Sequence, residues 1–371
     1  MRATFLFYDI ETTGLNKSFD QILEFAAIRT DASFRELERE TLKIRLRPDV
    51  IPQPEALITH RISIANAQSG ICEYDAITRI HRMFNTPNTI SIGYNSLAFD
   101  DEFLRFAFYR NLLPPYRHQY ENGCSRMDVY PMCLIYWLFH RDGIKWPEVD
   151  GRPSLKLEAL NDANQLTNGR AHDAMNDVEA TLALAKRLKR ASEVWTYLAG
   201  CFDKIADRGR IESIPTASDL SFGGFRMAYL VDGRFGFDRR YLVPALAIGP
   251  SIPYANQELW LRLDTPELMQ TTAEIIPETT WAVRKRYGEP PIVLPPKERF
   301  LKQTASECRI VMEKNLHWIS VNPELFQSII RYHREYRYPD VPDVDLDAAL
   351  YVNKFMSPSE ERLCKWFHVK G

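Results

Sequence analysis

The sequence predicts an α/β domain followed by a smaller β-rich domain and a short helical tail. Three observations carry this. Strand-like and helical segments alternate over residues 1 to about 193. A long amphipathic helix, HDAMNDVEATLALAKRLKRA, closes that region with Ala174, Val178, Leu182 and Ala185 as its inner stripe. From about residue 200 Gly and Pro recur, apolar runs shorten and helical periodicity is scarce up to about 320.

Within the first region LFYDIE, QILEFAAIRTD and ETLKIRLRP read as three strands joined by short polar turns. IPQPEALITHRISIANA reads as a loop leading into a helix. DAITRIHRMFN has helical spacing, with Ile77, Ile80 and Phe84 on one face. TISIGYN is a short strand and DDEFLRFAFYRNLL the helix after it. SRMDVYPMCLIYWLFH reads as one further helix whose apolar density suggests burial. In the second region YLVPALAIGP, LWLRLDT and EPPIVLPP are β pieces, and NPELFQSIIRYHREY returns to helix.

Composition bounds the function classes. A length of 371 residues, 45% hydrophobic and 26% charged, is that of an ordinary globular chain of two or three domains. No apolar run approaches the roughly 20 residues of a membrane helix, so no membrane partner is expected. Six cysteines without a CxxC pair argue against zinc or a disulfide framework and for reduced thiols in a cytoplasmic protein. A net charge of −2 does not announce a nucleic-acid partner, yet a local basic channel is compatible with it.

The chemistry begins in the first strand. Side chains alternate along a strand, so Asp9 and Glu11 project together while Tyr8 and Ile10 point to the other face. Two like charges repel unless a cation sits between them, and hard divalent ions prefer carboxylate oxygens. The alternative is a strand end fraying into solvent. Asp100 and Asp101 stand at a helix start, where one acid can cap the helix and the other face a site. His172 and Asp177 would lie about 140° apart on an ideal helix. They share a site only if His172 precedes the helix. Asp173 reads as a cap and Asp162 as a loop acid.

DxE on the first strand, an Asp after a Gly-Tyr-Asn strand, and H-x4-D on a closing helix together resemble the DEDDh exonucleases. FLFYDIETTG, EFAAIRTD, GYNSLAFDDEFLRFAFYRN, GIKWPEVDGRPSLKLEALNDANQL and AHDAMNDVEAT are similar to blocks of the bacterial exodeoxyribonuclease I family. LVPALA and DAALYVNKFMSPSE extend the resemblance more weakly over nearly the whole chain. It implies a ribonuclease H-like nuclease domain, a mixed central sheet flanked by helices, over residues 1–193. An SH3-like domain over 194–345 and a stub of a helical domain over 346–371 would follow. It implies that Asp9, Glu11, Asp100 and Asp177 hold two Mg²⁺ ions, for which Mn²⁺ can substitute. His172 would be the general base, with Thr13, Arg61 and Asn95 at the substrate. The expected activity is 3′→5′ hydrolysis of single-stranded DNA to 5′-mononucleotides, in DNA repair and recombination.

One stretch departs from the family. Thr59-His60-Arg61-Ile62 stands where Thr-Gly-Ile is common. Arg61 cannot offer glycine's close backbone approach; it grips a phosphate or sits on the surface. In WAVRKRYGEPP, Arg284, Lys285 and Arg286 lie near Trp281 and Tyr287. The cluster is either a solvated turn or a contact for a single strand, or for the acidic tail of single-strand DNA-binding protein, a family partner. The chain stops about where the family's last helical domain would begin, so a distributive enzyme, or one completed by a second polypeptide, is expected. An exoribonuclease, a subunit of a larger assembly and a catalytically dead binding module are the competing readings. All five expected catalytic residues are present, which disfavours the last.

Overall fold

The computed structural model describes residues 3–169, 172–216, 224–353 and 355–370. They form two compact units. The first comprises residues 1–129, 156–187 and 340–371, the second residues 130–155 and 188–339. The boundaries expected near 193 and 345 are thus redrawn in space: 130–155 clusters with the second unit and the tail with the first.

The first unit is built on a five-stranded mixed sheet. Strands β1 (Thr4–Thr12), β2 (Ile22–Thr30) and β3 (Glu36–Lys43) form an antiparallel meander. On the other side of β1, β4 (Thr89–Gly93) and β5 (Ser125–Asp128) run parallel to it, giving the order β3-β2-β1-β4-β5. Leu6, Tyr8 and Ile10 of β1 face a core that includes Ile77, Ile80 and Phe84 of α3 (Glu73–Phe84) and Phe103 and Phe108 of α4 (Asp100–Arg110). The odd residues of β1 take the opposite face, where Phe7 packs edge-on against Phe34 and Asp9 and Glu11 follow it. Two short helices, α1 (Pro54–His60) and α2 (Ile64–Ala67), precede α3.

The segment expected as one helix from Ser125 divides. SRMD is strand β5, and α5 (Val129–Phe139) starts only after it. The strand wins because its polar side chains are spent on buried partners; Arg126 bonds to Asp101. A two-residue hairpin, β6 (Glu148–Val149) with β7 (Arg152–Pro153), leads to α6 (Leu157–Asn164), and α7 (Ala174–Leu188) closes the unit's central portion. All four residues of the expected inner stripe of α7 are buried.

The second unit holds α8 (Ser192–Ala199), α9 (Lys204–Glu212) and a five-stranded antiparallel sheet. Its strands are β8 (Met227–Val231), β9 (Leu242–Pro250), β10 (Gln257–Arg262), β11 (Ala282–Arg286) and β12 (Ile292–Leu294), in the order β11-β10-β9-β8-β12. Single helical turns, α10 (Ile276–Thr279) and α11 (Glu298–Leu301), precede α12 (Ser306–Val321) and α13 (Pro323–Glu335). The region up to 320 is therefore less purely β than its sequence suggests, since α9 and α12 lie within it. Leu246, Leu259 and Leu261 of the sheet pack with Met312, Ile319, Phe326 and Ile329 of these helices.

The basic cluster of WAVRKRYGEPP is strand β11, not a solvated turn. Lys285 is fully buried, with Nζ 2.7 Å from Asp207 Oδ2 on α9. Arg286 faces Glu289 at 3.8 Å.

The tail returns to the first unit. Tyr351 bonds to Glu102, Arg117 to Glu361 at 2.8 Å, and His368 of α14 (Pro358–Lys370) to Tyr74 at 2.6 Å. All six cysteines are free. Among the described residues no helix is long and apolar enough to cross a membrane.

Candidate active site

The acidic face of β1 is the floor of the site. Ile10, between Asp9 and Glu11, uses its backbone N–H as a donor to the Asp100 carboxylate. The bond ties the third acid to the strand that carries the first two, and the Asp100 backbone N–H adds a second. Glu11 also faces Glu24 directly across the β1–β2 pair. His172 lies ahead of α7 with φ +59°, in the left-handed region. This turn brings it back towards Asp177, whose Oδ2 accepts the His172 backbone N–H at 3.1 Å. Ligand atoms of Glu11, His172 and Asp177 lie within 4.8 Å of one another. Asp173 caps α7, accepting from the Asn176 N–H at 3.2 Å.

Crowded carboxylates hold their protons. Burial, then the charges of Asp177, Asp100 and Glu24, pushes Glu11 up to about 9. Burial pushes Asp100 to about 8 and Asp177 to about 6. Asp9 is raised well above the usual range by burial and by Asp100 and Glu11. A cation among these oxygens relieves both the repulsion and the protonation. The donors are carboxylate oxygens, which suit a hard divalent ion. The residues present therefore fit such ions.

Neither acid at the start of α4 caps the helix; Phe99 holds the cap position. Asp100 turns to β1. Asp101 is buried at 0% exposure and is gripped by Arg126 and Arg105, each at 2.6 Å, and by His118 at 3.0 Å. Burial opposes ionisation there, but the two guanidinium groups outweigh it and hold Asp101 well below the carboxylate range. The turn before α4 is fixed by Asp128 at the end of β5. Its Oδ1 accepts from Asn95 N at 2.8 Å and its Oδ2 from Leu97 N at 3.1 Å. Asp101 and Asp128 thus set the position of Asp100.

The three expected substrate contacts differ in what they present. Thr13 is fully buried; its hydroxyl donates to Asp20 at 2.8 Å and accepts from Gln21 N at 2.9 Å. The side chain serves the turn after β1 and is not open to a substrate. Asn95 is exposed on the Asp128-bound turn. Arg61 is exposed at the C-cap of α1 with φ +60°. It takes the left-handed conformation that glycine adopts most easily, so the backbone shape is kept while a guanidinium is added. Arg61 lines a cavity of about 150 Å³ with Glu24, His60, Ile62, His172 and Asp173. His60 anchors this loop, accepting from Ile62 N at Nδ1, with Nε2 3.2 Å from the Thr12 carbonyl.

Two acids were not singled out from the sequence. Glu24 is legible only as one residue of the strand-like stretch QILEFAAIRTD. Glu158 on α6 lies 3.3 Å from His172 Nε2, and no local pattern marks it.

A family profile described as Exonuclease (RNase_T) matches residues 6–185, a range that takes in most of the first unit and the 130–155 segment of the second; the chain carries an exonuclease domain of ribonuclease H-like fold. The chain is 31% identical to Exodeoxyribonuclease I of Escherichia coli K12 over 385 residues, which take in 98% of this chain and 79% of that enzyme. It is 38% identical to Exodeoxyribonuclease I of Haemophilus influenzae over 189 residues, 50% of this chain and 40% of that one. Among solved structures, E. coli Exonuclease I in complex with a dA16 oligonucleotide superposes with a TM-score of 0.87 at 28% identity, over 100% of this chain and 81% of that one. The zinc-bound form of the E. coli enzyme with single-stranded DNA gives 0.84 at 27% identity, over 100% and 81%. The chain belongs to the exodeoxyribonuclease I family.

Two predictions follow from the charges and their support. A carboxyl whose pKa is raised on folding binds its proton more tightly in the folded chain. Metal-free protein therefore loses stability as pH climbs from the ordinary carboxylate range through about 6 to about 9. Its melting temperature should fall over that window, and added Mg²⁺ should restore more at the alkaline end. A metal-free melting temperature that rises over the window contradicts this. Asp128→Ala releases the turn before Asp100. It should lower kcat by about 10- to 100-fold, as loss of a supporting partner of a ligand does, and raise KM for DNA, because Asn95 rides on the same turn. Asp128→Asn, which keeps an acceptor, should recover part of it. Steady-state kinetics on both variants, alongside their melting temperatures, decides this.

Proposed function

We propose that this chain is a Mg²⁺-dependent 3′→5′ exonuclease that degrades single-stranded DNA to 5′-mononucleotides, in the service of DNA repair and recombination. The observation that carries the reading is the gathering of Asp9, Glu11, Asp100 and Asp177 with His172 on one face of β1. Family membership and the oligonucleotide complexes of the E. coli relative support the choice of substrate.

Asp9, Glu11, Asp100 and Asp177 would hold the metal. Two divalent ions, when bound, neutralise charge on the attacking and leaving oxygens of an in-line displacement at phosphorus. The chain's own residues do the rest. His172 takes the proton of the attacking water at a ring nitrogen. Its position ahead of α7 lets it reach over the floor set by β1, and Asp177 holds that position through the His172 backbone N–H. Arg61, exposed on the cavity it shares with His172, would meet a phosphate of the strand end. Asn95 is the second proposed contact. The bond between the 3′-terminal nucleotide and its neighbour breaks, leaving a 3′-hydroxyl on the shortened strand and a phosphate on the released 5′-mononucleotide.

The test is a single-stranded DNA labelled at its 5′ end, incubated with Mg²⁺ and either the wild-type chain or a variant. The wild type should give a ladder shortening from the 3′ end. Asp177→Ala should abolish it, and His172→Ala should slow it by about 10²- to 10⁴-fold, the usual worth of a general base. Immediate release of the labelled 5′ nucleotide, full activity of Asp177→Ala, or equal degradation of the matching RNA would contradict the proposal.

A further inference from the structure

We infer that Glu158, in the first turn of α6, is a positioning residue for His172. Its carboxylate holds the imidazole with the ring hydrogen on Nε2, which leaves Nδ1 as the nitrogen that accepts a proton in the reaction. The inference rests on the proposed reading of His172 as the general base.

Three observations carry it. The first is the contact itself. Glu158 Oε2 lies 3.3 Å from His172 Nε2. The other tie to this residue is at its backbone, where Asp177 Oδ2 accepts the N–H at 3.1 Å. The backbone bond fixes where the residue sits but leaves the ring free to turn about its side-chain torsions. A ring nitrogen of His172 lies within 4.8 Å of ligand oxygens of Glu11 and Asp177, so the rotation of the ring decides what it presents to them. Glu158 is the side chain that fixes this rotation.

The second is that Glu158 serves no other charge. Among the described residues its carboxylate meets no Lys or Arg within ion-pair distance, although Lys156 stands two residues before it. The Glu158 and His172 side chains are 43% and 45% exposed, and a pair so exposed adds little to stability. An acid in a first helical turn also favours the helix dipole, but that role needs no contact with His172.

The third is that buried structure holds the acid in place. Leu160, Asn161 and Asn176 are buried. Asn161 Oδ1 accepts from the Thr167 N–H at 2.9 Å, and the Thr167 hydroxyl donates to Asn176 Oδ1 at 2.6 Å. Asn176 immediately precedes Asp177 on α7. The helix that carries Glu158 is thus tied, through one threonine, to the end of α7 that carries Asp177. Glu158 lies about one turn before Asn161, so its distance from His172 is set by this tie.

A carboxylate oxygen only accepts, so the Nε2 it faces carries the hydrogen, and neutral imidazole then keeps its lone pair on Nδ1. Nδ1 takes a proton from the attacking water as the water oxygen bonds to phosphorus. The bond from phosphorus to the 3′ oxygen of the neighbouring nucleotide breaks. That oxygen leaves with its electron pair and is protonated from solvent, and Nδ1 returns its own proton to solvent before the next cut. Glu158 neither gives nor takes a proton. It fixes the tautomer and stabilises the imidazolium while it lasts.

The test is steady-state hydrolysis of 5′-labelled single-stranded DNA by the full chain with Mg²⁺, using Glu158→Ala, Glu158→Gln, His172→Ala and the double variant Glu158→Ala, His172→Ala. Glu158→Ala should lower kcat about tenfold, the usual loss when a histidine's carboxylate partner is removed, with KM unchanged because Glu158 does not touch the strand. Glu158→Gln, whose amide oxygen still accepts, should recover part of the loss. In the His172→Ala background Glu158→Ala should cost nothing further, which a merely structural role would not give. In the ¹⁵N-histidine-labelled chain, at a pH where the ring is neutral, NMR should place the His172 hydrogen on Nε2, and Glu158→Ala should mix the two tautomers. Wild-type kcat in Glu158→Ala would overturn the inference. So would a tenfold loss that persists without His172, a raised KM at unchanged kcat, or a wild-type ring with its hydrogen on Nδ1. A wild type that gives no ladder, or a His172→Ala variant as fast as wild type, would instead sink the proposed function, so the two failures are distinct.

Discussion

Four carboxylates share one face of this protein against their own repulsion, and much of the first unit serves to keep them there. Asp9 and Glu11 come free with the alternation of β1. Asp100 has to be brought in from another element, and the Ile10 N–H that reaches it sits between the first two acids. Asp177 arrives last, on the helix that closes the unit's central portion. Left without cations the group retains protons that ordinary carboxyls lose, with Glu11 raised to about 9. The cost of that crowding is recovered only when positive charge enters.

Rigid support explains how the crowding is tolerated. Asp101, next to Asp100 in sequence, has the opposite electrostatic fate because two guanidinium groups and His118 enclose it. Adjacent residues thus divide the labour: one anchors α4, and the other is presented to the site. Asp128 does for the preceding turn what Asp101 does for the helix. His60 ties the α1 loop to the end of β1, and Arg61 accepts a glycine-like backbone geometry beside it. Opposite charge stabilises the surroundings, and like charge is confined to the place where a substrate and its ions would enter.

What the sequence reveals follows from how local each cause is. The Asp9–Glu11 pairing is legible because strand alternation needs only neighbouring residues. The need for His172 to precede α7 is legible because helix geometry alone forbids the other arrangement. Asp101 reads as a possible cap because its partners lie at 105, 118 and 126, which only the fold brings together. SRMD reads as the start of the following helix because its strand character depends on pairing with β4. Asn315 obscured α12, since it occupies a place in the stripe Cys308, Met312 and Ile319 while spending its amide on the Leu263 and Thr265 carbonyls. Lys285 reads as a surface charge in sequence because Asp207, which pairs with it in the interior, lies 78 residues away. Glu158 had no signal at all, because its partner is His172 across an intervening loop.

The central claim is that the acidic face of β1 exists to hold divalent cations. The most direct measurement is calorimetric titration of Mn²⁺ into the metal-free chain near neutral pH, repeated in buffers of different ionisation enthalpy so that released protons are counted. The account predicts two ions per chain in the presence of a non-hydrolysable oligonucleotide, with net proton release that shrinks in Asp100→Asn. Binding without proton release, or binding unaffected by that substitution, would contradict it.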